Sequence, residues 1–238
     1  MITIDRVLPE REDVRFRPNT NRILPIALTP LAWSGARKIE PDDLCYGRAM
    51  RKLVVQQWVT VDNFAAEEDG GLGFVSGEPF DDDIANDPFR DTMMAFIDSV
   101  DTMILGGNTY NMAKAYWPYA EEQGEYGRKL NGLTKFVASS RLDDAPWGDF
   151  PAATVTRDPA ATIRALKEEG GKDIWLWGSL SLMNHLMDAG VVDEIRMLVC
   201  PATRGRGARL FQDEQDLELL EAAGFDSGVV LLRYAIKN

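Results

Sequence analysis

Histidine and cysteine are nearly absent from this sequence: one histidine, His185, and two cysteines, Cys45 and Cys200, among 238 residues. A zinc site built on the usual His/Cys set is therefore excluded, and no metal site is expected. Neither cysteine belongs to a C-x-x-C pair, so there is no metal knuckle and no disulfide framework. A Ser-His-Asp triad could use only His185. Positive charge is also scarce. The chain carries 26 Lys/Arg against 38 Asp/Glu, a net charge of −12. A surface this acidic repels phosphate polyanions, which argues against a nucleic-acid partner. The one local arginine cluster, Arg204, Arg206 and Arg209, reads as a solvated Gly-rich loop or as a phosphate contact. Long apolar runs are missing too. The stretch Ile23–Trp33 (ILPIALTPLAW) is too short to span a bilayer and holds two prolines. No basic segment with a small-residue cleavage site accompanies it. The composition predicts a cytoplasmic protein with no membrane partner.

What is present divides into a leader and a domain. Residues 1–49 carry eight Lys/Arg and seven Asp/Glu, so the whole of the net negative charge lies beyond them, with 18 Lys/Arg against 31 Asp/Glu. The leader is punctuated by Pro9, Pro18, Pro25, Pro30 and Pro41 and shows no sustained periodicity, which predicts an irregular extension. Regularity begins at Met50. Lys52–Val59 reads as a strand, and Val61–Gly77 as a long loop. The acidic run Asp81, Asp82 and Asp83 lacks the calcium-loop pattern and reads as solvated. Over Pro88–Val100, the residues Phe89, Met93, Phe96, Ile97 and Val100 follow one face of a helix. Thr102–Leu105 is a short buried strand. A helix over Thr109–Ala115 is stopped by Pro118. Lys135–Ser139 and Ala153–Thr156 read as strands. Asp158 and Pro159 open a helix that Gly170 and Gly171 close. Asp173–Trp177 is a strand, Ser179–Ala189 a helix, and Ile195–Cys200 a strand. Leu217–Ala222 and Val229–Ile236 form a closing pair. Strands alternate with helices until about residue 200, after which strand follows strand. The predicted fold is α/β and three-layered, with a mostly parallel central sheet, helices on both faces and a C-terminal antiparallel hairpin.

In such sheets ligands bind at the carboxyl ends of strands, near helix starts. Three strand ends carry suitable residues. At Gly106, Gly107, Asn108 and Thr109 a buried strand meets two glycines and a helix. Glycines admit a phosphate to the backbone, and free helix-start amides donate to it. An ordinary tight turn is the competing reading. At Trp177, Gly178, Ser179, Leu180 and Ser181 the pattern recurs, with Ser179 as helix cap, ligand contact, or both. At Ser139, Ser140 and Arg141 two hydroxyls and a guanidinium suit a ribose or its 2′-phosphate, or form a polar loop.

These segments, in this order, resemble the dihydrofolate reductase-like fold. More narrowly, they are similar to the reductase domain of bifunctional riboflavin-biosynthesis proteins and its stand-alone bacterial relatives. The resemblance runs from about Met50 to Tyr234. It includes Thr60-Val61-Asp62, LGGNTY, Tyr116-Trp117-Pro118, KFVASSR, WLWGSLSL and PATRGRGARLF. It implies NADPH as cofactor, with NADH as the alternative. Gly106, Gly107, Asn108 and Thr109 would then face the pyrophosphate and adenosine side. Ser139, Ser140 and Arg141 would hold the ribose. Gly178, Ser179, Leu180 and Ser181 would line the pyrophosphate and nicotinamide side, with Trp58 and Thr60 near the nicotinamide and Trp177 also in the cofactor site. Relatives often carry arginine after the first glycine, where this chain has Gly107. The pterin-binding carboxylate of dihydrofolate reductases falls by gap-free counting on Arg90, beside Asp91, so dihydrofolate itself is a poor fit. The H-x-E and P-C-x-x-C pair of the deaminase half is missing. Asp62, Thr60, Asp91 and Tyr110 are the candidates for proton donor or substrate contact, with a loop-capping role open for Asp62. His185 reads as structural or exposed. The expected function is an NAD(P)H-dependent reductase acting on a small conjugated heterocycle, pteridine- or pyrimidine-like, or a carbonyl. A non-catalytic nucleotide-binding or sensing module is the alternative. The expected partner is a small molecule, and the apolar strand Val229–Leu232 suits a homodimer edge.

Overall fold

A computed structural model describes residues 50–75 and 87–237. The leader and the run Asp81, Asp82 and Asp83 lie outside the described residues. The chain separates into units 1–45 and 46–238, and the elements below belong to the second.

Apolar residues alternate between two faces in every central strand, and this alternation builds two cores. In β1 (Leu53–Thr60), Val54 enters one core while Leu53, Val55 and Val59 enter the other. In β3 (Val100–Gly106), Met103 and Leu105 oppose Ile104. Consecutive side chains of a strand point to opposite faces, so a strand covered on both sides must be apolar throughout. The first core is closed by α1 (Pro88–Ser99), α2 (Gly107–Tyr116) and α3 (Gly124–Gly132). The second is closed by α4 (Pro159–Glu168) and α5 (Leu180–Asp188). The remaining strands are β2 (Phe64–Ala66), β4 (Thr134–Ala138), β5 (Thr154–Thr156), β6 (Asp173–Trp177), β7 (Glu194–Cys200), β8 (Ala208–Arg209), β9 (Leu217–Gly224) and β10 (Val230–Ile236).

The main sheet has eight strands in the order β5-β4-β3-β6-β1-β7-β10-β9. Pairings from β5 to β7 are parallel, and β10 runs antiparallel to both β7 and β9. This is the predicted architecture. The cap at Asp158 falls where the sequence signals it, accepting from Ala161 N at 2.9 Å; Asp87 likewise caps α1, accepting from Phe89 N at 2.9 Å.

Two features depart from the sequence reading. The loop after β1 contains β2, which pairs with β8 from a segment some 140 residues away, so no local signal announced it. Helix α3 was also not anticipated. Its buried face is short, with Tyr126 and Leu130 as its large apolar anchors. Among the described residues, no helix is long and apolar enough to cross a membrane, and no group of His, Cys, Asp or Glu could hold a metal ion.

Ile163 on α4 is fully buried in the second core, away from the carboxyl edge of the sheet. Ile163→Ala is expected to lower unfolding stability by about 2–5 kcal/mol in a urea titration, through lost burial plus a residual cavity.

Candidate functional site

The carboxyl ends of β1, β3, β4 and β6 open into one cleft of about 780 Å³. Its position follows from chain order: β6 inserts between β3 and β1 after the chain has already run outward to β5. Such a reversal leaves a crevice where successive strand-to-helix turns diverge.

Two of those turns lean directly on each other. A Cβ at Gly106 would lie 2.1 Å from Ser179 Oγ and 2.6 Å from Ser179 Cβ. A Cβ at Gly178 would lie 2.9 Å from Thr109 Cγ2. Each glycine thus admits a side chain of the opposite turn. Gly178 also adopts φ +65°, a left-handed conformation that favours glycine. Ser179 follows at φ 59° and ψ 81°, an uncommon conformation for a residue with a side chain. Its hydroxyl caps α5 by accepting from Leu182 N at 3.4 Å. The start of α2 has no side-chain cap. Its first residues, Gly107, Asn108 and Thr109, line the cleft, where a helix start offers partial positive charge.

Along the neighbouring edge, Ser139, Ser140 and Arg141 extend the lining. Ser139 Oγ accepts from Arg141 N at 3.1 Å and Leu142 N at 3.2 Å, which fixes the hydroxyl within its loop. Arg157 is already engaged, donating to Ser139 O and to Asp143 Oδ1. The far wall is aromatic. Trp177 stacks on Trp175 at 4.9 Å between ring centres and meets Trp117 edge-on at 5.4 Å. Trp58 packs on Phe89 at 5.9 Å. Trp58, Trp117 and Trp177 all line the cleft.

The structure therefore brings Trp58, Gly106, Gly107, Asn108, Thr109, Ser139, Ser140, Arg141, Trp177, Gly178, Ser179, Leu180 and Ser181 around one space. The four candidates for proton donor or substrate contact are placed elsewhere. Thr60 is buried; it donates to Asp62 Oδ1 at 2.6 Å and accepts from Phe64 N at 2.9 Å. Asp62 also accepts from Gly205 N at 2.7 Å and from Arg204 N at 3.1 Å. The Thr60 hydrogen bond leads in holding the Asp62 carboxyl below its ordinary value; desolvation opposes it, and the backbone donors of Gly205, Arg204 and Asp62 itself add to the lowering. Asp62 clasps two loops, as the capping alternative anticipated. Tyr110 is fully buried and donates to Pro146 O at 2.7 Å. Asp91 is exposed on α1, away from the lining.

The arginine cluster also has partners within the protein. Arg204 pairs with Glu67 at 2.6 Å, Arg206 with Glu68 at 3.3 Å, and Arg209 lies 5.3 Å from the Phe64 ring centre. Cys200 is buried, and burial pushes its thiol up to about 11, so it stays protonated at neutral pH.

Sequence reasoning missed several lining residues. His185 is exposed as expected, yet it lines the cleft, one helical turn beyond Ser181. Tyr116 and Trp117 complete one wall. Gln56 and Gln57 reach the cleft from β1 while nearly buried, at 3% and 6% exposure. The signal was available: two polar residues interrupt a strand that is otherwise apolar on both faces.

Residues 51–231 match the model of the RibD C-terminal domain, and the chain belongs to that family. It is 27% identical over 190 residues to the uncharacterized protein YyaP of Bacillus subtilis (strain 168), covering 77% of this chain and 94% of that one. Among solved structures it is similar to the diaminohydroxyphosphoribosylaminopyrimidine deaminase/5-amino-6-(5-phosphoribosylamino)uracil reductase of Thermotoga maritima. That match has a TM-score of 0.55 at 12% identity, covering 79% of this chain and 57% of that one. Dihydrofolate reductase from Enterococcus faecalis, complexed with NADP(H) and RAB-propyl, matches with a TM-score of 0.51 at 13% identity, covering 79% and 97%. The fold is dihydrofolate reductase-like.

The abutting turns make a contrast testable. Gly106→Ala cannot be accommodated without displacing Ser179, and is expected to destabilise the protein by about 1–3 kcal/mol, the usual cost of overpacking. Gly107→Ala places its Cβ 3.5 Å from Ser139 Oγ, an ordinary contact, and is expected to leave the melting temperature within about 2 °C of the parent. Thermal melts of the two variants check the contrast.

Proposed function

We propose that the protein is an NADPH-dependent reductase that delivers hydride to a small conjugated heterocycle of the pyrimidine or pteridine kind. The observation that carries this reading is the pair of interlocked glycine turns at the carboxyl edge of the sheet. Together they bring one uncapped helix start and one Ser-capped helix start against each other at the cleft. That combination suits a pyrophosphate. The family, and the NADP(H) complex of a protein with the same fold, support the same reading.

On this reading Gly106 to Thr109 and Gly178 to Ser181 hold the pyrophosphate. Ser139 and Ser140 hold the adenosine ribose, and Arg141 carries the positive charge that selects a 2′-phosphate over a bare hydroxyl. NADH binds more weakly for want of that contact. The dinucleotide supplies a hydride donor. The chain's own contribution is orientation and exclusion of water by Trp58, Trp117 and Trp177, which wall the slot beside β1. No carboxylate lines the cleft among the described residues. His185, exposed and lining the cleft, is a titratable side chain available there to relay the proton that completes reduction. The lack of a carboxylate among the described lining residues favours a second reading, binding without turnover. Oxidation of NADPH across a panel of oxo-pyrimidines distinguishes the two.

Ser179→Asp tests the site. Aspartate tolerates the left-handed backbone and caps helices, so the fold is retained. A carboxylate against the pyrophosphate is expected to weaken NADPH binding by on the order of 2–4 kcal/mol. Ser179→Asn, uncharged and similar in shape, is expected to bind within about fivefold of the parent, less than the ~1.4 kcal/mol of a tenfold change. Equal affinities for the aspartate and asparagine variants in a fluorescence titration would contradict the assigned site.

A further inference from the structure

Gln56 and Arg196 are register partners on β1 and β7, and Trp177 is the register partner of Gln56 on its other side. Paired residues of parallel strands project to the same face. Gln56 is thus flanked on one sheet face by an indole that lines the cleft and by a buried guanidinium. Both polar groups are short of partners. Gln56 Oε1 is buried with no hydrogen bond, as are Arg196 Nε and Nη2. Arg196 is only 6% exposed and sits 4.3 Å from the Phe96 ring centre. The carboxylates near it are taken by Arg233, which pairs with Glu194 at 2.8 Å and Glu221 at 2.7 Å. Burial pushes the Arg196 pKa down only to about 10, so the group is cationic at neutral pH.

Buried donors and acceptors without partners are costly, and a charged one more so. Oε1 is the buried end of the Gln56 carboxamide, while the residue itself lines the cleft. Turning Oε1 onto Arg196 satisfies both groups together and leaves Nε2 facing the cleft beside Trp58 and Trp177. We propose that Gln56 is the specificity-determining contact for substrate, donating its amide N–H to a ring carbonyl or ring nitrogen acceptor of a flat heterocycle, with Arg196 as the positioning residue that holds the amide in that orientation. The assignment rests on the reductase reading for its place in a reaction, but it concerns binding alone. Because glutamine presents a neutral donor here, the slot prefers a carbonyl-bearing ring to one carrying amino groups at the same edge.

The test uses uracil and 2,4-diaminopyrimidine as probes, titrated by calorimetry into the full-length protein with and without NADPH. The parent is expected to bind uracil more tightly. Gln56→Leu removes the donor, and uracil affinity is expected to fall about tenfold, as for a buried neutral hydrogen bond. Gln56→Glu keeps the size, pairs with Arg196 and turns the contact into an acceptor, so the preference is expected to reverse in favour of 2,4-diaminopyrimidine. Arg196→Lys is expected to keep the parent preference. Arg196→Met is expected to lose it, without adding to the loss in a Gln56→Leu background. Thermal melts identify any variant that has not folded, and the glutamate variant carries the test if the leucine variant has not. Failure of the parent to bind uracil, or an unchanged preference in Gln56→Glu, overturns the proposal. Failure of NADPH to bind while the glutamate variant still reverses the preference overturns the reductase reading instead.

Discussion

The contact between the two glycine turns governs the carboxyl edge of the sheet. Gly106 ends β3 and Gly178 follows β6, and these strands are adjacent and parallel. Where strand order reverses, helices starting from adjacent parallel strands go to opposite faces, as α2 and α5 do here. Their first residues would collide if either glycine carried a side chain. Ser179 lies against Gly106, and Thr109 lies against Gly178. The reciprocal fit draws two helix starts together at the cleft. It also keeps Ser179 in a left-handed conformation, a cost of order 1 kcal/mol that a serine rarely bears without reason.

Other parts of the molecule support that edge. The loop after β1 is drawn back by Asp62, which gathers Thr60 and two amides of the segment before β8, and by the small β2–β8 pairing. These contacts bring Ala65, Ala66, Gly70 and Leu72 to the cleft as a wall. Aspartate at position 62 is thus a structural clasp whose effect reaches the cleft through the loop it holds. Gln56 differs from it in kind. It contributes little to the fold, since its carboxamide oxygen has no partner, and it is explained best by something that binds beside it.

Much of this was legible in the sequence. The succession of strands and helices to about residue 200, the helix cap at Asp158, and the Gly-rich ends of two strands predicted both the layers and the edge where ligands bind. What local pattern could not supply was long-range pairing. The β2–β8 ribbon joins Phe64 to Arg209, and neither segment is strand-like by itself. For the same reason Asp62 and Tyr110 looked chemically available, although each is engaged by partners distant in sequence, Arg204 and Gly205 for the first and Pro146 for the second. Gln56 and Gln57 were visible as polar interruptions of a buried strand. Only the register with Trp177 and Arg196 gives the first of them a meaning.

The central claim is that the interlocked turns form a dinucleotide site. The most direct measurement is a titration of the purified protein with NADPH and with NADH, following tryptophan fluorescence, because Trp58, Trp117 and Trp177 line the cleft. The account predicts saturable quenching by both, with NADPH the tighter ligand. Absence of quenching by either, with displacement of neither by the other in a calorimetric check, would contradict it.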